Sequence, residues 1–131
     1  VVFKDWPIFA DRWPASLNAA RTGLQIWRQQ GADAYMQYHQ ALFSSGKSEG
    51  SLSEQDIQTA AQATGFARQI APVVDTELQS VNRLALTLGF SGTPAMVVMP
   101  ADGTAKLENV TVIPGFVPAG IIQAAIDKAQ E

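Results

Sequence analysis

The stretch Phe90-Ser91-Gly92-Thr93-Pro94-Ala95-Met96-Val97-Val98-Met99 constrains the fold most, because in it a turn runs directly into an apolar strand. Proline has no N–H to give to a sheet and is normally confined to strand starts, edges or bulges. Pro94 therefore predicts the start of a strand over about 95–99. The turn at 92–94 has two interpretations, a surface that faces a substrate or an ordinary entry into a strand, and Gly-Thr-Pro alone does not decide between them.

Before this stretch, apolar residues recur at three- and four-residue spacing, which predicts amphipathic helices. Serine, aspartate and glycine at suitable positions indicate where these helices begin and end. For the third helix, Ser51 or Ser53 is the expected N-cap, with Glu54 or Asp56 three residues on as its capping-box partner. The four predicted helices run from Ser16 to Gly31, from about Ala32 to Ser44, from the Ser51 or Ser53 cap to Gly65, and from about Asp75 to Leu88.

The two ends of the chain carry the remaining predicted elements. Residues 1–5, Val-Val-Phe-Lys-Asp, are rich in β-branched and aromatic side chains and predict a strand. After the strand at 95–99, Asp102-Gly103 suits a tight hairpin turn and a returning strand is expected over about 106–113. A last helix is expected from Pro118 to about Ala129, with proline in its first turn.

Composition excludes several functional classes. The 131 residues suit a single domain, and a net charge of -3 gives no reason to expect nucleic acid as a partner. No apolar run approaches the roughly 18 residues of a membrane span. With no cysteine and a single histidine, His39, the chain offers neither a thiolate nor a cluster of histidine ligands, so we predict no catalytic residue, no metal and no cofactor.

The order of elements, together with several short motifs, resembles the DsbA-like thiol-disulfide oxidoreductases. The motifs are Val-Val-Phe-Lys-Asp-Trp-Pro-Ile-Phe at 1–9, Ala19-Ala20-Arg21, Leu88-Gly89-Phe90-Ser91-Gly92-Thr93-Pro94 and Ile113-Pro114-Gly115-Phe116. This resemblance implies an α/β thioredoxin-like fold with an inserted helical subdomain. It makes 1–131 one domain, with about 1–14 and 89–131 as the thioredoxin-like part and about 15–88 as the helical insertion.

The resemblance also implies what this chain lacks. In the family a Cys-X-X-Cys pair and a central strand precede the equivalent of Val1, so we expect the chain to be N-terminally incomplete, with a missing segment or a second chain completing the sheet. The family further implies a cis peptide bond at Pro94, a periplasmic location, and protein thiol or disulfide substrates that bind at Gly92, Thr93 and Pro94. Two alternatives remain, a non-catalytic peptide-binding or chaperone module and a glutathione-transferase-like isomerase.

Other residues have competing interpretations. Trp6, Trp13 and Trp27 could line a peptide groove, but core positions are the preferred prediction. Asp5 could be a buried acid that assists proton transfer to a thiol, although a turn-forming or capping role is preferred. His39 is expected to lie at the surface or on the flank of a helix.

Overall fold

The structure is a computed structural model that describes residues 1–47, 50–66 and 69–131. The chain divides into two compact units, Val1–Leu84 and Ala85–Glu131. The described elements are, in order, α1 (Pro14–Gln30), α2 (Ala32–Ser44), α3 (Glu54–Gln62), α4 (Val73–Thr87), β1 (Met96–Val98), a short 3-10 helix (Leu107–Asn109), β2 (Thr111–Ile113) and α5 (Ala119–Ala129). These helices lie close to the predicted ranges.

The core of the first unit forms where α1, α2 and α3 pack together. Ile26 and Ile57 are fully buried at its centre, and the Tyr38 side chain beside them is 2% exposed. Tyr38 also donates its hydroxyl to the backbone oxygen of Ala19, at 2.8 Å. A Cβ added at Gly23 would lie 3.0 Å from Cε1 of Tyr38, so the absence of a side chain at Gly23 lets this ring pack closely against α1.

A second cluster joins α1 to the start of α4, with Ala20, Val74 and Leu78 buried together. The loop before α4 is fixed by a buried polar side chain, because Oε1 of Gln25 accepts from the N–H of Ala71 at 2.8 Å. Buried polar groups are stable when they are paired in this way. The first unit therefore has a packed interior, and its buried Gln25 side chain is hydrogen-bonded.

Local sequence explains where the helices begin. Ser53 caps α3: its hydroxyl accepts from the Asp56 N–H at 3.2 Å, and the Asp56 carboxylate accepts from the Ser53 N–H at 2.8 Å. Of the two predicted caps, Ser53 is the one used. Helix α1 begins at Pro14 rather than at Ser16, because proline already has a helical φ and lacks an N–H that the first turn could not use.

The predicted strand at residues 1–5 is wrong for the described structure, which assigns these residues to no strand. A strand needs a neighbour to bond to, and the described residues supply no backbone hydrogen bond to this segment. The predicted returning strand at 106–113 is also too long. The Lys106 N–H donates to Oδ1 of Asn109 at 2.7 Å, which folds 107–109 into a 3-10 turn and leaves only β2 as strand.

The second unit is built on an antiparallel pair of short strands. Met96 pairs with Ile113, Val97 with Val112 and Val98 with Thr111. Helix α5 contacts β1, and its Ala125 is buried. Because alternate residues of a strand point to opposite faces, Ile113 is buried while Val112 remains 43% exposed.

Candidate functional site

The candidate site is the turn between the end of α4 and β1. Backbone hydrogen bonds hold the first residues of this turn in place. Gly89 has a φ of +77°, a conformation that glycine adopts without strain, and its N–H donates to Leu86 O at 3.0 Å. The N–H of Phe90 donates to Ala85 O at 3.0 Å, and the Phe90 side chain is buried. The turn that follows therefore starts from an anchored aromatic residue.

The three predicted site residues lie together beyond this anchor. Thr93 and Pro94 are exposed, Gly92 is half-buried, and the Thr93–Pro94 peptide bond is cis. No heavy atom lies within 4 Å of a Cβ added at Gly92, so the described fold leaves the space beside this glycine open. The assignment of these residues to substrate binding stays a prediction.

Strand β1, which starts two residues after Pro94, has one hydrogen-bonded edge. Its partner is β2, and the described residues form no third strand in this sheet. Val97 in β1 is 39% exposed and Met99, just after β1, is 52% exposed. Exposed apolar side chains therefore lie along the strand whose other edge is unpaired. An edge of this kind is a template to which an extended segment can add as a strand.

The turn contains none of the groups needed for thiol chemistry. The chain has no cysteine. Within the described ranges, no three histidine, cysteine, aspartate or glutamate side chains are grouped so that they could hold a metal ion. In the same unit, hydrogen bonds from Thr104 lower the pKa of Asp102, and this carboxylate orders the turn that follows β1.

The first unit contains a groove of about 600 Å³ that the sequence did not predict. Its apolar lining includes Phe3, Leu24, Trp27, Met36 and Leu84. Because the Trp27 side chain is 50% exposed, its prediction as a core residue is wrong. Trp27 lies three residues after Leu24 and so belongs to the apolar stripe of α1. Because it is in the last turn of this helix, no other described element covers its side chain.

Asp5 makes a tertiary contact instead of the expected local one. Its Oδ1 accepts from the hydroxyl of Tyr35, 30 residues away, at 3.0 Å. Burial raises the pKa of Asp5, while the Tyr35 hydrogen bond and the charge of His39 lower it by less. The turn-forming or capping interpretation of Asp5 is therefore wrong, and His39 lies half-buried on the flank of α2 as expected.

No helix in the described part of the chain is long and apolar enough to cross a membrane. No protein-family model matches the sequence, and no curated protein does.

Solved structures do match. BcfH of Salmonella enterica Typhimurium is 38% identical, with a TM-score of 0.72 over 96% of this chain and 55% of BcfH. A periplasmic thioredoxin-like protein from the same serovar is 22% identical, with a TM-score of 0.72 over 98% of this chain and 65% of its own. The catalytic domain of Proteus mirabilis ScsC is 21% identical, with a TM-score of 0.68 over 89% of this chain and 60% of that domain.

These matches confirm the predicted thioredoxin-like fold, and the chain spans only a little over half the length of BcfH. The likeness to the periplasmic protein and to ScsC supports the fold alone, whereas the likeness to BcfH, at 38% identity over nearly the whole chain, extends to the sequence. The comparisons therefore bear out, at the level of the fold, the resemblance to DsbA-like proteins that the sequence indicated.

Proposed function

We propose that this chain supplies the peptide-docking part of a periplasmic DsbA-like protein thiol-disulfide oxidoreductase, whose catalytic cysteines lie outside the 131 residues. The observation that carries the proposal is the exposed turn at Thr93 and Pro94, followed directly by β1 with its unpaired edge. The proposal also draws on the 38% identity to BcfH, a chain that extends well beyond the part matched here.

In this proposal, the substrate is an extended protein segment that carries a thiol or a disulfide. The backbone of Thr93 offers hydrogen bonds to this segment in the manner of strand addition. Pro94 has no N–H, so the turn has one donor fewer with which to pair elsewhere. Gly92 leaves room for the segment to approach the backbone, as the open space beside it allows.

The reaction itself requires cysteines that this chain does not contain. In thiol–disulfide exchange, a thiolate attacks one sulfur of a disulfide, a new S–S bond forms, and the other sulfur leaves as a thiolate. We propose that a further segment or a second chain provides the cysteine pair and also completes the sheet. The role of Gly92, Thr93 and Pro94 is then to hold the substrate segment in the orientation that the exchange needs.

The absence of cysteine from all 131 residues favours a second candidate, a peptide-binding or chaperone module without redox activity. Both candidates use the same docking turn. They differ only in whether the complete protein carries a cysteine pair, and one set of measurements can therefore separate them.

The first measurement is the intact mass and N-terminal sequence of the product of the complete gene, followed by a thiol-exchange assay on a peptide with a mixed disulfide. The oxidoreductase proposal expects a Cys-X-X-Cys pair and catalysed exchange. If the complete product has no such pair and leaves the exchange rate unchanged, this proposal fails and the non-catalytic candidate replaces it.

Docking is tested separately on the 131-residue chain, with an extended fluorescent peptide and anisotropy as the readout. A Thr93→Arg substitution places a bulky charge at the turn, and we expect a loss of about tenfold in affinity, equivalent to about 1.4 kcal/mol. Leu107→Arg is the matched control, since Leu107 is 96% exposed in the same unit, and its effect should stay below about twofold. Equal effects of the two substitutions would reject docking at Thr93.

A further inference from the structure

The segments that enter β1 and leave β2 meet at one end of the strand pair. Met96, the first residue of β1, pairs with Ile113, the last residue of β2, in an antiparallel register. Paired Cα atoms lie about 4.5–5.5 Å apart in such a ladder. Residues 93–95, which enter β1, and 114–116, which leave β2, are therefore neighbours at the end of the sheet that carries the docking turn.

The segment that leaves β2 carries an exposed aromatic side chain at this end. Counting three residues outward from the Met96–Ile113 pair reaches Thr93 on one side and Phe116 on the other. The Phe116 side chain is 85% exposed, so its ring is accessible to a segment that binds at the turn. A large apolar surface therefore accompanies the candidate docking residues, although no short sequence motif connects the two.

Prolines stop the ladder just before these residues. Pro114 follows Ile113 directly, and Pro94 lies two residues before Met96. Each proline lacks the N–H that a longer ladder would need from its position. Strand pairing therefore ends at the Met96–Ile113 pair, and the backbone beyond it is open to another segment.

The sequence segments that form this end of the second unit contain no charged side chain. Residues 85–101 and 109–126 have no lysine, arginine, aspartate or glutamate. The charged residues of the unit lie in the connection at the opposite end of the strand pair, and in or after the last turn of α5: Asp102, Lys106 and Glu108, and Asp127, Lys128 and Glu131. A charged substrate side chain would lose hydration at the docking end without finding an opposite charge there.

We propose that Phe116 forms an apolar wall of the docking site and selects extended segments that place a large apolar side chain beside the turn. This selectivity depends on the docking function proposed for Thr93 and Pro94, since the segment must first bind at that turn. The backbone of Thr93 holds the main chain of the segment, whereas the Phe116 ring contacts one of its side chains.

The contribution of Phe116 is the removal of apolar surface from water on binding. An aromatic side chain buries roughly 150–250 Å² when it is covered, and it favours contact with a second ring. Because Phe116 is 85% exposed, most of that surface remains available to a partner. A phenylalanine of the substrate segment gains this contact, an alanine gains little of it, and a glutamate or lysine loses hydration instead. The expected order of affinity is therefore phenylalanine first, alanine second and the charged residues last.

The experiment measures, by fluorescence anisotropy, how the 131-residue chain binds labelled peptides that differ at one position. The peptides are extended, rich in serine and threonine, and carry phenylalanine, alanine, glutamate or lysine at the centre. We expect the phenylalanine peptide to bind about tenfold more tightly than the alanine peptide, and the charged peptides to bind most weakly. Phe116→Ala should reduce the preference for phenylalanine over alanine to below about twofold, and Phe116→Leu should retain most of it.

Two further variants make the test specific. Leu107→Ala is the matched control, because Leu107 is 96% exposed in the same unit but lies in the connection at the opposite end of the strand pair. It should leave the order of the four affinities unchanged. Phe116→Lys should make the glutamate peptide bind more tightly than the lysine peptide, a gain that a misfolded variant could not produce.

The outcomes separate the role of Phe116 from docking at Thr93. If Thr93→Arg weakens all four peptides but Phe116→Ala leaves the preference for phenylalanine unchanged, docking stands and the role of Phe116 is refuted. If Thr93→Arg has no effect, or if no peptide binds, both proposals fail. A preference that is present in the 131-residue chain but absent from the product of the complete gene would show that another segment covers Phe116, which also overturns its role.

Discussion

The two units of the chain bury their apolar side chains to different extents. In unit 1, Val1–Leu84, the side chains of Ile26, Ile57 and Val74 have no solvent exposure. In unit 2, Ala85–Glu131, buried residues such as Phe90 and Ile113 are accompanied by Leu107 and Phe116, which are 96% and 85% exposed. Both units expose some apolar side chains, Phe43 of unit 1 at 76% among them, but the first unit is built around a packed core and the second buries few apolar side chains.

This difference follows from how each unit is assembled. Three helices of unit 1 pack against one another and bury most of their apolar stripes, although Trp27 at the end of α1 stays exposed. The described part of unit 2 has a pair of three-residue strands, a short 3-10 helix and the α-helix α5, and one α-helix cannot cover both faces of the sheet. Exposed apolar surface of this kind is typical of sites where another protein segment binds. The candidate docking turn thus lies in the unit that buries fewer apolar side chains.

The largest expected contrast comes from removing the same side chain in each unit. Ile57 has no exposure in unit 1, whereas Ile126 is 38% exposed in unit 2. We expect Ile57→Ala to lower the free energy of unfolding by about 2–5 kcal/mol, because it removes buried surface and leaves a cavity. Ile126→Ala should cost less than about 1 kcal/mol, since its side chain gains little from burial. Urea unfolding by circular dichroism measures both, and equal costs would contradict the proposed division.

The sequence predicted the helices better than the strands, for a physical reason. A helix satisfies its hydrogen bonds within its own segment, so the periodic stripe of 32–44 was sufficient to predict α2 with both of its ends. A strand depends on a neighbour that local sequence does not describe. Residues 1–5 have strand composition but no such neighbour among the described residues, and the prediction was wrong there.

The same limit applies to the sites. Gly92, Thr93 and Pro94 are adjacent in sequence, so a motif was enough to select them as a candidate. The hydrogen bond between Asp5 and Tyr35 joins residues 30 positions apart, and no local pattern could predict it. The apolar groove around Trp27 likewise depends on the packing of several segments, which the stripe on α1 alone does not reveal.

A second, intermediate contrast uses glycine to alanine substitutions in two helices. Gly23 lies in α1, where a new Cβ would be 3.0 Å from the Tyr38 ring, and this ring is held by its hydrogen bond to Ala19. Gly120 lies in the first turn of α5, where a Cβ would have no neighbour within 4 Å. Alanine favours a helix by about 1 kcal/mol over glycine in both cases, but overpacking costs about 1–3 kcal/mol.

We therefore expect opposite signs from this pair. Gly23→Ala should lower the thermal midpoint of unfolding, and Gly120→Ala should leave it unchanged or raise it. Differential scanning fluorimetry is sufficient to detect the difference. If Gly23→Ala stabilised the chain, the Tyr38 ring would have to move away from the new methyl group at little cost. The packing around Gly23 would then be loose, and the description of unit 1 as the tightly packed unit would be wrong.

The smallest expected effect concerns ion pairs, again one from each unit. In unit 1, Nε of Arg21 lies 2.6 Å from Oδ1 of Asp75, and Nη2 lies 3.2 Å from Oδ2, a two-pronged contact between side chains that are 33% and 46% exposed. In unit 2, Nζ of Lys106 lies 3.9 Å from Oε1 of Glu108, and both side chains are more than two-thirds exposed, at 72% and 79%.

Double-mutant cycles with Arg21→Gln and Asp75→Asn should give a coupling of about 0.5 kcal/mol, because solvent screens a pair that is only partly buried. The same cycle on Lys106 and Glu108 should give a value near zero. Raising the salt concentration to about 1 M shortens the screening length to about 3 Å and should reduce the first coupling further. If the two couplings were equal, the geometry of the Arg21–Asp75 contact would add nothing to the stability of unit 1. The contrast between the units would then come from apolar packing alone.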